Sequence, residues 1–284
     1  MKRNKISGYI PSPEDSRDYK LSRLIKCSPK LPASYITKRK NIHVFDQDDS
    51  NMCVSCAIAA FKQIIESDQV GDIEPFSPAY IYGNRRGSDY HGEGMIPRQA
   101  LKTLKDYGIC HLNYFPGNYT YNNAIKYYSV DKERLDRVAK PYRISSYYRL
   151  KTTDEIKQAI YTMGAALVAY SVYDCLLDPD SDGYVEYDET YQGEYHGGHQ
   201  MLAVGWNETG FIVLNSWSTD YGVGDKEFEV SGGLVLIPYA YQPEEAWAVT
   251  DDITEQEILG LYGKKESIFT KVKSFITSLL PKNK

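Results

Sequence analysis

Apolar residues recur at helical spacing in one stretch of the chain, and the end signals of helices mark two more. The first stretch begins at Cys53 and continues to about Asp68, so we expect Cys53 in the first turn of a helix. A proline in the first turn and a glycine after the last residue delimit a second helix over Pro97–Tyr107. A third helix is predicted over 152–164, with a threonine cap at its start and a glycine at its end.

The pattern changes in the second half, where short runs rich in valine, leucine and tyrosine are separated by glycines or charged turns. Such runs predict β-strands. Helices followed by strands predict an α+β fold with a mainly helical N-terminal lobe and an antiparallel β-sheet or barrel in the C-terminal lobe. The predicted strands are AALVAYSVY at 165–173, QMLAVGW at 200–206, GFIVLNSW at 210–217 and GGLVLIPYAY at 232–241.

These patterns divide the chain into four parts. Residues 1–40, rich in proline, serine and lysine, predict an extended arm that runs over a surface. The helical lobe is expected at 41–140, the β-rich lobe at 141–250, and a C-terminal extension at 251–284.

The C-terminal extension contains a predicted amphipathic helix. Its apolar stripe either packs on the body of the protein or makes contact with a partner protein or a membrane surface through residues 267–280. The stripe consists of Ile268, Phe269, Val272, Phe275, Ile276, Leu279 and Leu280.

Composition narrows the function classes. The net charge of −5 argues against nucleic acid as a partner, and the longest apolar run is shorter than the roughly 20 residues of a membrane span. The N-terminus lacks the apolar core of a cleaved signal, so we expect a cytoplasmic protein. An odd number of scattered cysteines favours free thiols in a reducing compartment; they are Cys27, Cys53, Cys56, Cys110 and Cys175.

Four residues carry the groups that nucleophilic catalysis needs, in the chain order Gln47, Cys53, His199 and Asn215. A thiol needs a base to become a thiolate, the base needs an orienting partner, and an oxyanion needs a donor. A helix start favours a thiolate at Cys53 through the macrodipole and the free N–H groups of the first turn. Because the cysteine and the histidine fall in different predicted lobes, the active site is expected in the cleft between them.

The segments around these residues resemble the papain-like cysteine peptidases, most of all the bacterial, archaeal and phage members that lack a long propeptide. The resemblance spans roughly Gly8 to Ala248, and the order and spacing of the segments make it specific. The segments are GYIPSPEDSRDY, FDQDDSNMCVSCAIAA, EPFSPAYIYGNRR, RQALKTLKDYGIC, GGHQMLAVGW and NSWSTDYG.

The resemblance implies a papain-like two-lobe fold and a cysteine endopeptidase that forms an acyl-enzyme on Cys53 and needs no cofactor. In the family, the glutamine of the oxyanion hole precedes the nucleophile by six positions. Gln47 precedes Cys53 by six, which favours Cys53 over Cys56 as the nucleophile. Cys56 is then a small buried residue on the same helix.

The family also assigns the remaining catalytic roles. His199, rather than the nearby His196, is implied as the base that forms an imidazolium beside the thiolate. Asn215 orients its ring, and Trp217, counted with the substrate-binding residues, shields that hydrogen bond from water.

On the substrate side, Gly94 resembles the cleft-wall glycine whose backbone pairs with an extended polypeptide. Met95, with Ala169 and Gln200, would border the main specificity pocket and make it apolar. The similarity to phage members adds association with a phage or virion as an alternative location.

The chain departs from the family motif around the cleft. Asn51 and Met52 replace a Gly-Ser pair, Val54 replaces an aromatic residue, and Ser218 replaces a glycine. Loss of glycine restricts backbone freedom, so a catalytically silent binding or assembly component is the alternative function.

A separate acidic segment, DPDSDGYVEYDE, matches the spacing of a calcium-binding loop. Asp178, Asp180, Asp182 and Glu189 would supply the oxygen ligands and Gly183 the sharp turn. An acidic surface loop without metal is the simpler interpretation, since helices are not predicted on either side.

Overall fold

The computed structural model describes residues 8–19, 21, 30–38, 41–86, 92–190 and 192–251. The predicted amphipathic segment 267–280 and Cys27 lie outside this part of the chain. The helices are α1 (Cys53–Val70), α2 (Pro78–Gly83), α3 (Pro97–Tyr107), α4 (Tyr121–Val130), α5 (Lys132–Ala139), α6 (Thr153–Met163) and α7 (Asp174–Leu177).

The strands follow the larger helices along the chain, apart from one short strand near the start. They are β1 (Tyr35–Ile36), β2 (Ser146–Leu150), β3 (Ala166–Tyr173), β4 (Tyr195–Trp206), β5 (Gly210–Leu214), β6 (Val223–Asp225), β7 (Val230–Pro238) and β8 (Glu245–Thr250).

The three helices predicted from hydrophobic spacing or from their end signals are present as α1, α3 and α6, and α3 has the predicted bounds. Helix α6 begins after Thr152, whose Oγ1 accepts a hydrogen bond from the Glu155 N–H at 3.1 Å. It ends at Gly164, which has a left-handed φ of 86° that a glycine adopts without steric cost. Within the described residues, none of the helices combines the length and apolar character needed to cross a membrane.

The described strands form one antiparallel sheet in the order β2-β8-β3-β4-β5-β7-β6, and β1 pairs with β4. The four predicted strands are β3, β4, β5 and β7. Strand β4 begins five residues earlier than predicted, so His199 lies inside this strand rather than at its start. Strands β2 and β8 were not predicted, and they pair with each other at one end of the sheet.

The two faces of the sheet cover two hydrophobic cores, because alternate residues of a strand point to opposite faces. Leu167 and Leu202 belong to a core that includes the buried side chains of α1. Val168 and Met201 belong to a second core, which includes Ile160 of α6. This arrangement seats α1 against the centre of the sheet, where β3 and β4 are neighbours.

A buried ion cluster joins the end of the sheet to α1. Lys62 is fully buried in α1, and its Nζ lies 2.6 Å from Glu66 Oε1 and contacts the carboxylate of Asp251, just after β8. The same Nζ donates to the Arg143 carbonyl at 3.2 Å. A buried charge is tolerated only when it is paired and hydrogen-bonded, so this cluster ties the last strand to the helix that carries Cys53.

Candidate active site

Cys53 is the first residue of α1, as predicted, and its side chain is fully buried. Burial raises the pKa of Cys53 to about 11, while the backbone amides of Gln200, Val54 and Gly8 act in the opposite direction. Gln200 follows His199 in the chain. Its interaction with the sulfur therefore brings the cysteine segment of α1 against the histidine segment of β4.

Cys56 lies one turn further along α1 and is also buried. It faces the interior between α1 and the sheet, where His43, Phe45 and Leu214 surround it. Burial raises the pKa of Cys56 well above its usual range. Its surroundings are those of a small residue that fills the core.

The ring of His199 is held by Asn215 and Trp217. His199 Nε2 lies 2.7 Å from Asn215 Oδ1, and the same oxygen accepts a hydrogen bond from the Ser216 N–H at 2.7 Å. The Ser216 N–H identifies this atom as the amide oxygen, which can only accept hydrogen bonds. His199 Nε2 therefore carries the hydrogen of the bond to Asn215, and Nδ1 is the ring atom that can exchange a proton. The Trp217 ring stacks on the imidazole at 4.6 Å between centroids and is itself buried.

His196, the other histidine of this segment, has a different environment. Its Nε2 lies 2.6 Å from Asp174 Oδ1, and both side chains are partly exposed. The structure therefore brings His199, and not His196, to the Asn215 side chain.

The Gln47 side chain is buried and fixed at both ends. Its Oε1 accepts a hydrogen bond from Ser216 Oγ at 2.7 Å, and its Nε2 donates to the Ser50 carbonyl at 2.9 Å. An amide nitrogen carries two hydrogens, so one remains for a further acceptor. Sequence reasoning missed Ser216, although it lies between Asn215 and Trp217 in the NSW motif.

Residues 8–10 lie in the cleft directly over Cys53. The Met95 N–H donates to the Gly8 carbonyl at 2.8 Å, the Ile10 N–H donates to the Met95 carbonyl at 2.9 Å, and the Tyr9 N–H donates to the Gly198 carbonyl at 3.2 Å. A Cβ on Gly8 would be only 2.8 Å from the Cys53 sulfur. The surface over which residues 8–10 of the arm run is the cleft itself, because their backbone makes hydrogen bonds with both of its walls.

Gly94 and Met95 form one of these walls, as the resemblance implies. Gly94 has a φ of +86°, and a Cβ there would lie 2.9 Å from the Gly8 carbonyl oxygen. Glycine therefore permits the close approach of another backbone at this position. The substrate-binding roles of Gly94, Met95 and Trp217 stay predictions.

The arm continues from the cleft along the protein, where it is anchored by an ion pair. Arg98 Nε donates to Asp18 Oδ1 at 2.8 Å, and the Arg98 Nη2 contacts the other carboxylate oxygen. The Arg149 N–H donates to the Tyr19 carbonyl at 2.9 Å. The arm is therefore held at the cleft and also at α3 and β2.

The pocket beside Gly198 contains a carboxylate. The hydroxyl of Tyr9 donates to Glu245 Oε2 at 3.0 Å, and Glu245 itself is 3% exposed. Ala169, predicted as a pocket residue, is the cross-strand partner of Glu245. A buried acidic group therefore lies beside Ala169, and the predicted apolar pocket stays a prediction.

Two other expectations about the cleft are resolved by the structure. Gln200 is buried, and it lies next to Cys56 between α1 and the sheet. Ser218, which replaces a motif glycine, has a left-handed φ of 70°. A side chain in that conformation is strained, so serine at this position has a local energetic cost.

The carboxylates of the acidic loop are not gathered around one point in the described residues. Asp180 Oδ1 accepts hydrogen bonds from the Asp182 and Tyr184 N–H groups at 2.9 and 2.8 Å, which makes it the acceptor of a turn. Across the described part of the chain, no group of three or more His, Cys, Asp or Glu side chains is placed to hold a metal ion.

Comparisons with known proteins agree with this geometry. Xylellain, a cysteine protease from Xylella fastidiosa, superposes with a TM-score of 0.69 at 22% identity, over 88% of this chain and 98% of that one. ProCathepsin B S9 from Trypanosoma congolense superposes with a TM-score of 0.65 at 19% identity, over 89% of this chain and 88% of that one. Procathepsin L 3 of Tenebrio molitor larval midgut superposes with a TM-score of 0.60 at 20% identity, over 87% of this chain and 76% of that one. At these identities the superpositions show the fold, and the predicted papain-like two-lobe α+β fold is confirmed.

A search of curated protein sequences found no match. The sequence model for papain family cysteine proteases, by contrast, matches residues 31–226, which is more than half of the chain. The matched range includes Gln47, Cys53, His199 and Asn215. The chain belongs to the papain family of cysteine proteases.

Proposed function

We propose that this protein is a cysteine endopeptidase in which Cys53 is the nucleophile, His199 the base, Asn215 the orienting residue and Gln47 an oxyanion donor. The observation that carries the proposal is the hydrogen bond of 2.7 Å from His199 Nε2 to Asn215 Oδ1. That bond presents Nδ1 for proton transfer, while the backbone amide of Gln200, the next residue in the chain, interacts with the Cys53 sulfur.

In the acylation step, His199 Nδ1 takes the proton of the Cys53 thiol, and the thiolate attacks the carbonyl carbon of the peptide bond. The Cys53 N–H, which at the first position of α1 has no partner within the helix, and the second hydrogen of Gln47 Nε2 donate to the oxyanion. His199 then gives its proton to the leaving amine as the C–N bond breaks. In deacylation, His199 takes a proton from water, which attacks the thioester and releases the carboxylic acid and the thiol.

The substrate is a polypeptide in extended conformation, because the wall at Met95 offers one N–H and one carbonyl in the manner of a strand edge. Residues 8–10 now use both groups. Catalysis therefore requires that a substrate displaces this part of the arm.

The test is hydrolysis of an unfolded protein or a fluorogenic peptide by the full chain and by two single-cysteine variants. Cys53→Ala is expected to lower the rate by about 10⁴-fold or more, because the acyl-enzyme cannot form. Cys56→Ala is expected to keep most of the activity. Full activity in Cys53→Ala would contradict the proposal.

A catalytically silent binding component is the alternative, and the observation that favours it is the covered Cys53 side chain, whose pKa is raised by burial. This alternative predicts the same background rate of hydrolysis for the parent chain and for Cys53→Ala.

Location and further partners are proposed from the sequence. We assign the protein to the cytoplasm, with phage or virion association as the alternative, and assign residues 267–280 to contact with a protein or a membrane surface. Cell fractionation of the full chain, compared with a chain that ends at residue 266, tests both assignments.

A further inference from the structure

A small cavity lies beside Asn215, between α1 and the sheet. Its volume is about 10 Å³, which is about the room that one water molecule needs. Cys56 and Ala57 of α1 line this cavity together with Gln200 of β4 and Asn215. All four of these residues are buried, so the cavity belongs to the interior of the protein rather than to the cleft.

Two of the residues that line the cavity have a polar atom that no protein group satisfies. Gln200 is 1% exposed, and its Oε1 is buried without a hydrogen-bond partner among the described residues. Asn215 is 3% exposed, and the same holds for its Nδ2. The oxygen is an acceptor and the nitrogen is a donor. Because buried polar atoms without partners cost free energy, these two require a group that accepts from one and donates to the other.

A water molecule is a group of this size that does both. Its oxygen accepts from Asn215 Nδ2, and one of its hydrogens is donated to Gln200 Oε1. A bare cation could not accept from an N–H group, and a bare anion could not donate to an amide oxygen. Cavities with a purely apolar lining stay dry, whereas buried water is held by two or more polar partners, and this cavity offers two.

The orientation of the Asn215 amide decides whether it can hold the imidazole of His199. Its Oδ1 lies 2.7 Å from His199 Nε2 and accepts from the Ser216 N–H at 2.7 Å. A buried Nδ2 without an acceptor favours a turn of the amide towards one. Because the amide is a single planar group, such a turn moves Oδ1 away from His199. An acceptor for Nδ2 therefore keeps the ring in place.

We propose that Gln200 is a positioning residue, which holds the Asn215 amide through one buried water molecule. This inference rests on the proposed function, in which Asn215 orients His199. The backbone amide of Gln200 interacts with the Cys53 sulfur, so a single residue serves the nucleophile with its backbone and the orienting residue with its side chain. The competing role is the one that the resemblance implies, in which the Gln200 side chain borders the substrate pocket.

A crystal structure of the full chain, at a resolution that shows ordered water, tests the first part of the proposal. The expected result is a water molecule within about 3.2 Å of both Asn215 Nδ2 and Gln200 Oε1. A cavity without ordered water, or a Gln200 side chain that points out of the cavity, would overturn the proposal.

Peptide hydrolysis by Gln200→Met tests the second part. Methionine keeps the length of the side chain but has only a weak acceptor, and the substitution leaves the backbone amide beside Cys53 in place. We expect kcat to fall about tenfold with KM unchanged, because the orienting residue loses one buried hydrogen bond. A higher KM at an unchanged kcat would show that Gln200 contacts the substrate instead, and would overturn the proposal.

A double-mutant cycle separates positioning from a general effect on the fold. If Gln200 acts through Asn215, Gln200→Met changes kcat by less than about twofold in an Asn215→Ala background. Gln63→Met is the matched control, since it removes another buried glutamine amide, which donates to the Asn41 and Ile73 carbonyls. Its effect on kcat is expected to be the same in both backgrounds. A tenfold loss from Gln200→Met in both backgrounds would overturn the positioning role.

These results distinguish failure of the inference from failure of the proposed function. Absence of any cysteine-dependent hydrolysis by the parent chain would refute the proposed function. Cysteine-dependent hydrolysis, together with a cavity that holds no water or with an additive cycle, would overturn the inference about Gln200 alone. Because the crystal structure of the parent chain decides on the water by itself, the test holds even if Gln200→Met does not fold.

Discussion

The side-chain amide of Gln47 is held at both of its ends, by Ser216 Oγ at the oxygen and by the Ser50 carbonyl at the nitrogen. Its backbone N–H also donates to the Ser216 carbonyl at 2.9 Å. Ser216 follows Asn215, so the group that orients His199 and the group that orients Gln47 are adjacent in the chain. A donor that is fixed before the reaction stabilises an oxyanion without the cost of reorganisation.

We predict that Gln47→Ala lowers kcat by about 10²- to 10³-fold, because one oxyanion donor is lost. Alkylation of Cys53 by iodoacetamide forms no oxyanion, so its rate is expected to stay within about twofold of the parent rate. Stopped assays of peptide hydrolysis and mass spectrometry of the alkylated protein give the two rates. A parallel fall in both rates would instead assign Gln47 to the structure of the nucleophile segment.

At the residue scale, the sequence predicts the reactive side chains of the site better than the buried polar side chains around them. Cys53 and His199 were found because thiol and imidazole are rare and stand in distinct local patterns. Glu245 was missed because its partner Tyr9 is 236 positions away in the chain, and a glutamate in EEAW resembles any surface glutamate. The pairing arises only from folding.

At the element scale, the arm is the feature that governs access to the site. Its backbone bonds to Met95 and Gly198 cover Cys53, and its ion pair between Asp18 and Arg98 is largely buried. Burial is the main cause of the raised pKa of Cys53. Release of the arm should therefore lower that pKa and increase the thiolate fraction at neutral pH.

Arg98→Ala is expected to speed alkylation of Cys53 at pH 7 by about three- to tenfold, since loss of a well-formed, partly buried ion pair weakens the closed arm by about 1 kcal/mol. The midpoint of the alkylation rate against pH should move to lower pH, because a less buried thiol ionises more easily. Lys102→Ala, on the same helix and in the exposed pair with Asp106, is the control. Equal rates in all three proteins would show that the arm does not limit access.

Element prediction succeeded where periodicity was strong and long. Helices α1, α3 and α6 and the strands of the sheet centre have continuous apolar patterns, and all were predicted. Strand β2 was missed because four of its five residues, SYYR, are only half-buried. Strand β1 was missed because it has only two residues. Helices α4 and α5 bury only two residues each, so their sequences are mostly those of a solvated surface.

At the scale of the whole molecule, one buried cluster connects the last strand to the nucleophile helix. Lys62 and Glu66 are fully buried, and Asp251 is almost so. Burial raises the pKa of Glu66, although the Lys62 charge opposes that shift. The Lys62 ammonium therefore offsets the cost of burying the carboxyl groups of Glu66 and Asp251.

Lys62→Met is predicted to reduce the free energy of unfolding by about 3–5 kcal/mol, because it leaves buried carboxyl groups without their cation. A carboxyl group whose pKa is higher in the folded state stabilises that state below its unfolded pKa, and the stabilisation is lost as pH rises through the folded pKa. Removing the cation raises the folded pKa of Glu66 further. The deficit should therefore be larger at pH 8 than at pH 5.

Urea unfolding at the two pH values measures this deficit, with Lys102→Met as a control that removes an exposed lysine of a similar i to i+4 pair. The control is expected to change stability by less than about 1 kcal/mol. A Lys62→Met deficit that is small and independent of pH would contradict the role assigned to the cluster.

The central claim is that the Cys53 thiol and the His199 imidazole act as a pair across the cleft. The most direct measurement is the rate of Cys53 alkylation against pH in the parent chain, His199→Ala and His196→Ala, with the adduct located by mass spectrometry. The closed arm slows alkylation in all three proteins alike, so the difference among them reports the pair. We predict that the parent and His196→Ala react faster below pH 7 than His199→Ala, which reacts as an ordinary thiol with a rate that rises near pH 8.5. An unchanged profile in His199→Ala would contradict the account.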